Sequence, residues 1–419
     1  MIRALGALAR GGLTVEEAIL QEERQGPLDP AARAWARDVT SGVLRHQALC
    51  EAWMRSLVND KAPTGWLKRT MLVALYQLLK HDTPAGKIVD ETVNLVKRQE
   101  GESRGRFVNA LLRKAALETE VWRSIVVPDL TGFKKFNSLQ WQTLAMSTGL
   151  PDWWLKEWLK DYSTTEIELR GLHSFFVRTL ERPEFYARIE GKLEGERLKD
   201  SENAKEYLAR LESEGRNAII QDRASDFAIQ SVHKHLTNWS TSQSLSQTPI
   251  LDLCAAPGGK SIALSWLGWP VIATDYQAER LELLRSSCER VKNKSIECIS
   301  WLEVENRAGP LDKLNLWVDA PCSSSGLIGK HPELKTQLKE TELNELIEIQ
   351  AKLLTKAYAL SKPGCLLIYS VCSLFKKEGQ LQVQQFLSRH STARLLEEKT
   401  LGLDESDSSD GFYFAVLKV

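Results

Sequence analysis

Cysteine is sparse in this chain and follows no pattern. There are 7 in 419 residues, an odd number, scattered mostly through apolar segments and with no Cys-x-x-Cys pair. That distribution argues against a disulfide framework and for a reducing cytosol. No ligand-type cysteine lies near the alternating His233 and His235, so no zinc site is expected. Long apolar runs are missing too. None approaches the roughly 18 residues a membrane-spanning helix needs, and no membrane partner is expected. Net charge is absent, at a formal value of zero. This speaks against a dedicated non-specific nucleic-acid binder, but not against an enzyme that gathers its basic residues on one face. Internal repeats are absent. Asp404 to Asp410 is acidic and serine-rich and reads as an exposed loop. Met1 to Leu13 has Arg3 and Arg10 among small apolar residues, as a targeting signal would. Glu16 and Glu17 follow at once with no cleavage-like site, so an ordinary first helix is expected.

What is present is an ordinary globular composition, 43% hydrophobic and 26% charged, over a length that favours two or three domains; a monomer is expected. Three regions follow from the apolar spacing. Residues 1–127 read as an all-α bundle: Ala31 to Leu57, Leu67 to Leu79, Ile88 to Val96 and Phe107 to Leu117 repeat intervals of three and four, without strands between. Residues 128–240 read as a linker and a small α+β, RRM-like module. Pro128 to Leu150 is linker-like. A tryptophan-rich helix follows from Asp152, which is placed to cap it, its tryptophans read as core rather than base-stacking platforms. After it come strand-like Ser174 to Leu180, helix-like Pro183 to Lys192 and Ala204 to Glu212, and strand-like Asn217 to Asp222. Ser240 to Pro249 reads as a polar loop. Residues 241–419 alternate strands (Ile250 to Leu253, Val271 to Thr274, Leu314 to Val318, Cys365 to Ser370) with helices (Ser261 to Leu267, Gln277 to Val291, Leu343 to Leu360). Such alternation predicts a doubly wound, Rossmann-like parallel sheet. Gly411 to Leu417 is expected as an edge or hairpin strand.

In a doubly wound sheet, ligands bind beyond the carboxyl ends of the strands. The loop Cys254-Ala255-Ala256-Pro257-Gly258-Gly259-Lys260 lies there after the first strand. Its glycines let backbone N–H groups approach a ligand. It is neither a phosphate-binding Gly-x-x-x-x-Gly-Lys-Ser/Thr loop nor a full Gly-x-Gly-x-x-Gly fingerprint. Asp275 ends the second strand, where a carboxylate can bind ribose hydroxyls, and Tyr276 can lie against an adenine.

Cys322 and Cys372 each follow a strand at the mouth of the same cleft, whereas Cys50, Cys288, Cys298 and Cys365 fit the description of small buried hydrophobes. Cys254 is expected to contribute backbone rather than thiol chemistry. A cleft of low polarity raises a thiol's pKa, so a cation such as Lys260 must assist ionisation. Two thiols beside a nucleotide-like cofactor suit a pyrimidine substrate. Carbon 5 of cytosine takes a methyl group only after a thiolate has added at carbon 6. An acid near ring N3 stabilises the adduct, and Asp319 is placed to hold that proton. A second thiol can assist the elimination that frees the enzyme.

Leu251-Asp-Leu-Cys-Ala-Ala-Pro-Gly-Gly-Lys260, Asp319-Ala-Pro-Cys-Ser323 and Tyr369-Ser-Val-Cys-Ser373 together resemble the RNA cytosine-5 methyltransferases of the NOL1/NOP2/Sun family. Ile88 to Lys97 and Gly105 to Arg113 are similar to the NusB-type domain of its bacterial ribosomal-RNA members. Asn217 to Ser225 and His331 to Lys335 also match. The resemblance implies S-adenosylmethionine as methyl donor, Cys372 as nucleophile and Cys322 as the thiol that assists release. It implies RNA, small-subunit ribosomal RNA, as the partner. The lysines and arginines at Arg104, Arg106, Arg113 and Lys114 become its candidate contacts, against the reading of a solvated helix face. The family's adenine-reading acid has no clean counterpart here; Glu303 is the candidate. Phe375-Lys-Lys-Glu-Gly379 departs from the family's Pro-Glu-Glu-Asn. Two alternatives stand beside this reading: a methyltransferase of another RNA such as tRNA, and a non-catalytic RNA-binding assembly factor.

Overall fold

The computed structural model describes residues 1–24, 26–59, 61–191, 196–197, 204–243, 248–307, 314–404 and 409–419. It divides into two compact units, Met1–Arg182 with Ile328–Leu338, and Pro183–Leu327 with Lys339–Val419. No described helix is long and apolar enough to cross a membrane.

The first unit is helical. Local signals start its helices: Thr14 and Glu17 form a capping box before Val15–Glu23, and Asp29 caps Pro30–Arg45 with proline in the first turn. Gly65–Lys80 is the central helix, buried on nearly every face, and Val39, Trp53, Met71, Leu75, Val96, Val108 and Leu112 pack into one core with it. Ile2–Leu8 contributes Ala4, Leu5, Ala7 and Leu8 to that core, so the N-terminal stretch is a structural helix. Ile328–Leu338 belongs here as well. Arg45 Nε donates to the Gly329 carbonyl (3.1 Å), Lys335 Nζ to that of Thr148 (2.7 Å) and Gln337 Nε2 to that of Leu13 (3.0 Å).

Four local expectations fail. The linker-like 128–150 contains a helix, Ser138–Thr148, opened by an Asn137–Gln140 capping box and closed by Gly149 at φ +68°. Asp152 is inside the tryptophan-rich helix Asp152–Asp161, with Pro151 at its N-cap; the aspartate pairs instead with Lys156. Ser174 to Leu180 is the end of a helix, Glu166–Leu180, started by a Thr165–Glu168 capping box. Its Phe175-Phe176-Val177 run favours strand locally, but Leu169, Leu172, Phe175, Phe176 and Thr179 bury one helical face. Pro183 to Lys192, expected helical, contains a strand. Trp154 and Trp158 are fully buried, Trp158 stacked on Phe176, so the core reading of these two rings holds.

The second unit carries two sheets. In the small module β1 (Tyr186–Ile189) pairs antiparallel with both β2 (Glu196–Arg197) and β3 (Ala218–Ile220). The helix Ala204–Ser213 covers them through Tyr207 and Leu211. The large sheet uses β4 (Ile250–Asp252), β5 (Val271–Ala273), β6 (Ile296–Cys298), β7 (Asn315–Asp319), β8 (Leu366–Val371), β9 (Arg394–Leu401) and β10 (Phe412–Lys418) in the order β6-β5-β4-β7-β8-β10-β9. The first five are parallel; β10 and β9 are antiparallel. Helices pack on both faces, giving one core with Ala228, Ile262 and Leu284 and another with Leu354, Ala357 and Phe386. Every residue of β8 is buried, as a parallel strand covered on both faces requires. The final strand forms the expected hairpin but lies inside the sheet. The edge is β9, whose charged, exposed sequence gave no strand signal. The polar stretch from Ser240 begins inside a longer helix, Arg223–Gln243. Of Asp404 to Asp410, residues 405–408 lie outside the described residues.

Candidate active site

Strand order reverses between β4 and β7, so their carboxyl ends flank the crevice where doubly wound sheets bind ligands. The chain leaves β4 into Cys254–Lys260. Gly258 sits at φ +109°, and a Cβ there would lie 2.9 Å from Leu284 Cδ1, so only glycine makes this turn without strain. The Ala256–Pro257 peptide is cis. Gly259–Trp266 begins at once, with the first N–H groups of the helix unused by its own backbone bonds. Burial holds the Cys254 thiol well above its ordinary pKa, so it stays protonated.

A cavity of about 170 Å³ opens against this loop, lined also by Gln221, Asp222, Ser225, Asp252 and Asp319. Two buried acceptors of its lining residues, Gln221 Oε1 and Asp252 Oδ1, have no hydrogen-bond partner among the described residues. Orphaned acceptors at a cavity suit a ligand that brings N–H donors, as an amino-acid ammonium does. Asp252 is otherwise held by the Ser261 hydroxyl (2.6 Å), and burial lifts its pKa to about 7.

Asp275 follows β5 and is buried. Its carboxylate accepts from Ala256 N–H (3.3 Å) and from Arg280 Nε (3.1 Å), while Arg280 also donates to the Ala256 carbonyl (2.8 Å). Arg280 thus joins the second strand to the glycine loop, a role the sequence reading missed. Tyr276 is 78% exposed and meets Trp301 edge-on at 5.9 Å, leaving a ring face open. Glu303 lies in the first turn of Trp301–Arg307, where its carboxylate accepts from Ser300 N–H and hydroxyl (2.8 Å each).

Asp319 and the two thiols come together at the ends of β7 and β8. Lys260 Nζ donates to Asp319 Oδ2 (2.6 Å) and the Ser370 hydroxyl to Oδ1 (2.7 Å). Burial alone would lower the Lys260 ammonium; Asp319 outweighs it and holds the lysine above its ordinary value. The Cys322 and Cys372 sulfurs are 3.2 Å apart. Donation from the Cys322 thiol, helped by Ser324 and opposed by burial, lowers Cys372. The same bond, with burial, pushes Cys322 far up. The shared hydrogen bond therefore makes Cys372 the more acidic of the two sulfurs, with Cys322 as its proton donor. Ser324, 3.5 Å from the Cys372 sulfur, takes the left-handed conformation at φ +55°, strain that in a serine favours a site role.

Of the four cysteines read as inert, Cys50, Cys288 and Cys365 are buried, while Cys298 is only half-buried and hydrogen-bonds Cys288. The basic residues lie in the first unit. Arg104, Arg106, Arg113 and Lys114 are exposed on the helix Glu102–Arg123; Arg104 and Lys114 lie 3.9 Å from Glu100 and Glu118, Lys114 Nζ also donates to the Ser56 carbonyl (3.3 Å) and Arg113 Nε to Asn109 Oδ1 (3.2 Å).

Residues 242–418 match the family model described as 16S rRNA methyltransferase RsmB/F, and residues 3–117 match the NusB family. The chain is similar to ribosomal RNA small subunit methyltransferase B of Pasteurella multocida, 27% identical over 91% of this chain and 87% of the relative. Its counterpart in Shewanella oneidensis is 28% identical over 84% and 82%. The solved structure of PH0851 superposes over 100% of this chain and 98% of its own, with a TM-score of 0.64 at 21% identity; it shares the fold.

Proposed function

We propose, for a chain whose residues 242–418 match the 16S rRNA methyltransferase RsmB/F family model and whose residues 3–117 match the NusB family model, that it methylates carbon 5 of a cytosine in small-subunit ribosomal RNA through a covalent Cys372 adduct. The observation that carries this reading is the sulfur pair: two unbridged cysteines 3.2 Å apart with opposite pKa displacements. An assembly factor without chemistry has no use for two thiols paired in this way at a ligand crevice. The division of labour follows the sequence reading, with residues 1–127 gripping RNA, 128–240 forming the linker and small module, and 241–419 catalysing.

The cofactor is S-adenosylmethionine, which supplies an electrophilic methyl group. Gln221, Asp252 and the Cys254–Lys260 loop would hold its amino-acid end and Asp275 its ribose. Tyr276 would face the adenine, with Glu303 the candidate reader of its amino group. The target cytosine leaves its stack to enter the cleft. The Cys372 thiolate adds to carbon 6, the ring electrons shift toward N3, and N3 takes a proton through Asp319, drawn from the Lys260–Asp319 pair. Carbon 5, now enamine-like, would take the methyl group as the donor's sulfur–methyl bond breaks and that sulfur leaves as a neutral thioether. Its remaining proton leaves to solvent base, N3 returns its proton to the Lys260–Asp319 pair, the carbon–sulfur bond breaks, and the departing thiolate is received by the Cys322 S–H.

Two variants separate the thiols. Cys372→Ala should abolish methylation and give no adduct. Cys322→Ala should form an RNA adduct that survives denaturing electrophoresis and needs both Cys372 and the donor. An adduct with Cys372→Ala but not with Cys322→Ala reverses the assignment, and normal methylation by both variants removes the covalent mechanism.

A further inference from the structure

One carboxylate joins the loops that carry the two sulfurs. Glu378 is fully buried. It accepts from the residue that follows each cysteine: from Ser323 N–H (2.9 Å) and hydroxyl (2.5 Å), and from the Ser373 hydroxyl (2.5 Å). Gln350 Nε2 completes the set, donating both to Glu378 Oε1 (2.9 Å) and to the carbonyl of Pro321, the residue before Cys322 (3.0 Å). No cation pairs with this carboxylate among the described residues. A buried carboxylate met only by neutral donors keeps its field, which low local polarity does not screen.

We propose that Glu378 is a positioning residue that decides which of two adjacent sulfurs attacks: it fixes both cysteine loops and, by its uncompensated charge beside Cys322, leaves that sulfur protonated and Cys372 the nucleophile. The proposal rests on the reading of Cys372 as nucleophile. The surrounding charges agree with it. Cys322 faces Cys372 and Glu378, both of which disfavour a second anion. Cys372 faces Cys322, Asp319 and Lys260, and the lysine is the only cation of the three. Tyr369 stays neutral, its hydroxyl donating to the Glu378 carbonyl (2.6 Å).

The test needs neither RNA nor donor. Under single-hit iodoacetamide, peptide mapping from pH 6 to 9 reads the alkylation rate of each thiol. The full chain should alkylate at Cys372 in preference to Cys322 by about tenfold or more, the ratio one pKa unit gives. Glu378→Gln keeps the shape and removes the charge, so the preference should fall to within about threefold. Glu378→Asp keeps the charge on a shorter arm and should retain the preference even if methylation slows. An unchanged ratio in Glu378→Gln, or equal loss in Glu378→Asp, overturns the charge argument. Should the glutamine variant fail to fold, Cys372→Ser isolates Cys322. Its alkylation midpoint should then lie above the ordinary thiol value of about 8.5, and a midpoint at or below that value sinks the proposal. Failure of the underlying reading looks different, because it would show as the absence of any RNA adduct with Cys322→Ala while the alkylation ratio remains measurable.

Discussion

Asp252 shows how one residue carries a cost that its site uses. It ends β4 with one oxygen bonded to Ser261 and the other without a partner among the described residues, and burial raises its pKa to about 7. An unfolded aspartate ionises near 3.9. Between those values the folded state binds the extra proton, so stability is full below about pH 4 and is lost as pH rises toward 7. A displacement of that size corresponds to roughly 4 kcal/mol at most. Asp252→Asn, which keeps an acceptor for Ser261, should flatten this part of the stability curve in denaturant titrations from pH 4.5 to 7.5. The same substitution should weaken S-adenosylmethionine binding measured by calorimetry. A variant that retains the wild-type pH slope would show that Asp252 titrates normally in the fold. The motif residues were legible because loop chemistry writes itself into short local strings. Glu378 was not. It sits in Phe375-Lys-Lys-Glu-Gly379, which reads only as a departure from the family's motif, and its burial is explained by Ser373 nearby together with Ser323 and Gln350, distant in sequence.

At the scale of elements, the two cysteine loops are locked by close backbone approach. Gly326 N–H donates to the Cys372 carbonyl (3.1 Å), and Gly411 N–H to that of Gly326 (3.0 Å). A Cβ on Gly326 would stand 1.8 Å from the Gly411 carbonyl oxygen, with rigid backbone on both sides. Gly326→Ala must therefore separate the Cys322 loop from the entry to β10. We expect a fall of about 2 kcal/mol or more in unfolding free energy, read by denaturant titration, together with a slower methylation rate. Wild-type stability in this variant would contradict the packing. Element type was legible where apolar periodicity ran through a long segment, as in Gly65–Lys80 and Glu340–Leu360. It failed where strand-favouring residues sat on a helix, at Phe175 to Val177. It failed again where a short strand depended on partners elsewhere in the chain, as β1 depends on β2 and β3.

For the whole molecule, a neutral chain that acts on a polyanion must concentrate its positive charge. The candidate concentration is the exposed face of Glu102–Arg123, where Arg104 and Lys114 have carboxylate partners no nearer than 3.9 Å. Such pairs are worth little in water and yield readily to phosphate. Neutral replacement of Arg104, Arg106, Arg113 and Lys114 should weaken binding to a small-subunit ribosomal RNA fragment. It should also reduce the slope of log affinity against log salt by just under one unit for each phosphate that is no longer neutralised. S-adenosylmethionine affinity should not change, because the cavity proposed for the donor is lined by the loop after β4, by Asp252 and Asp319 and by the segment Ile220–Ser225. The decisive quantity is the slope rather than the affinity. A binding defect with an unaltered slope would mean that these side chains stabilise the bundle without touching phosphate, and the RNA-gripping face would have to be sought on other helices of the first unit.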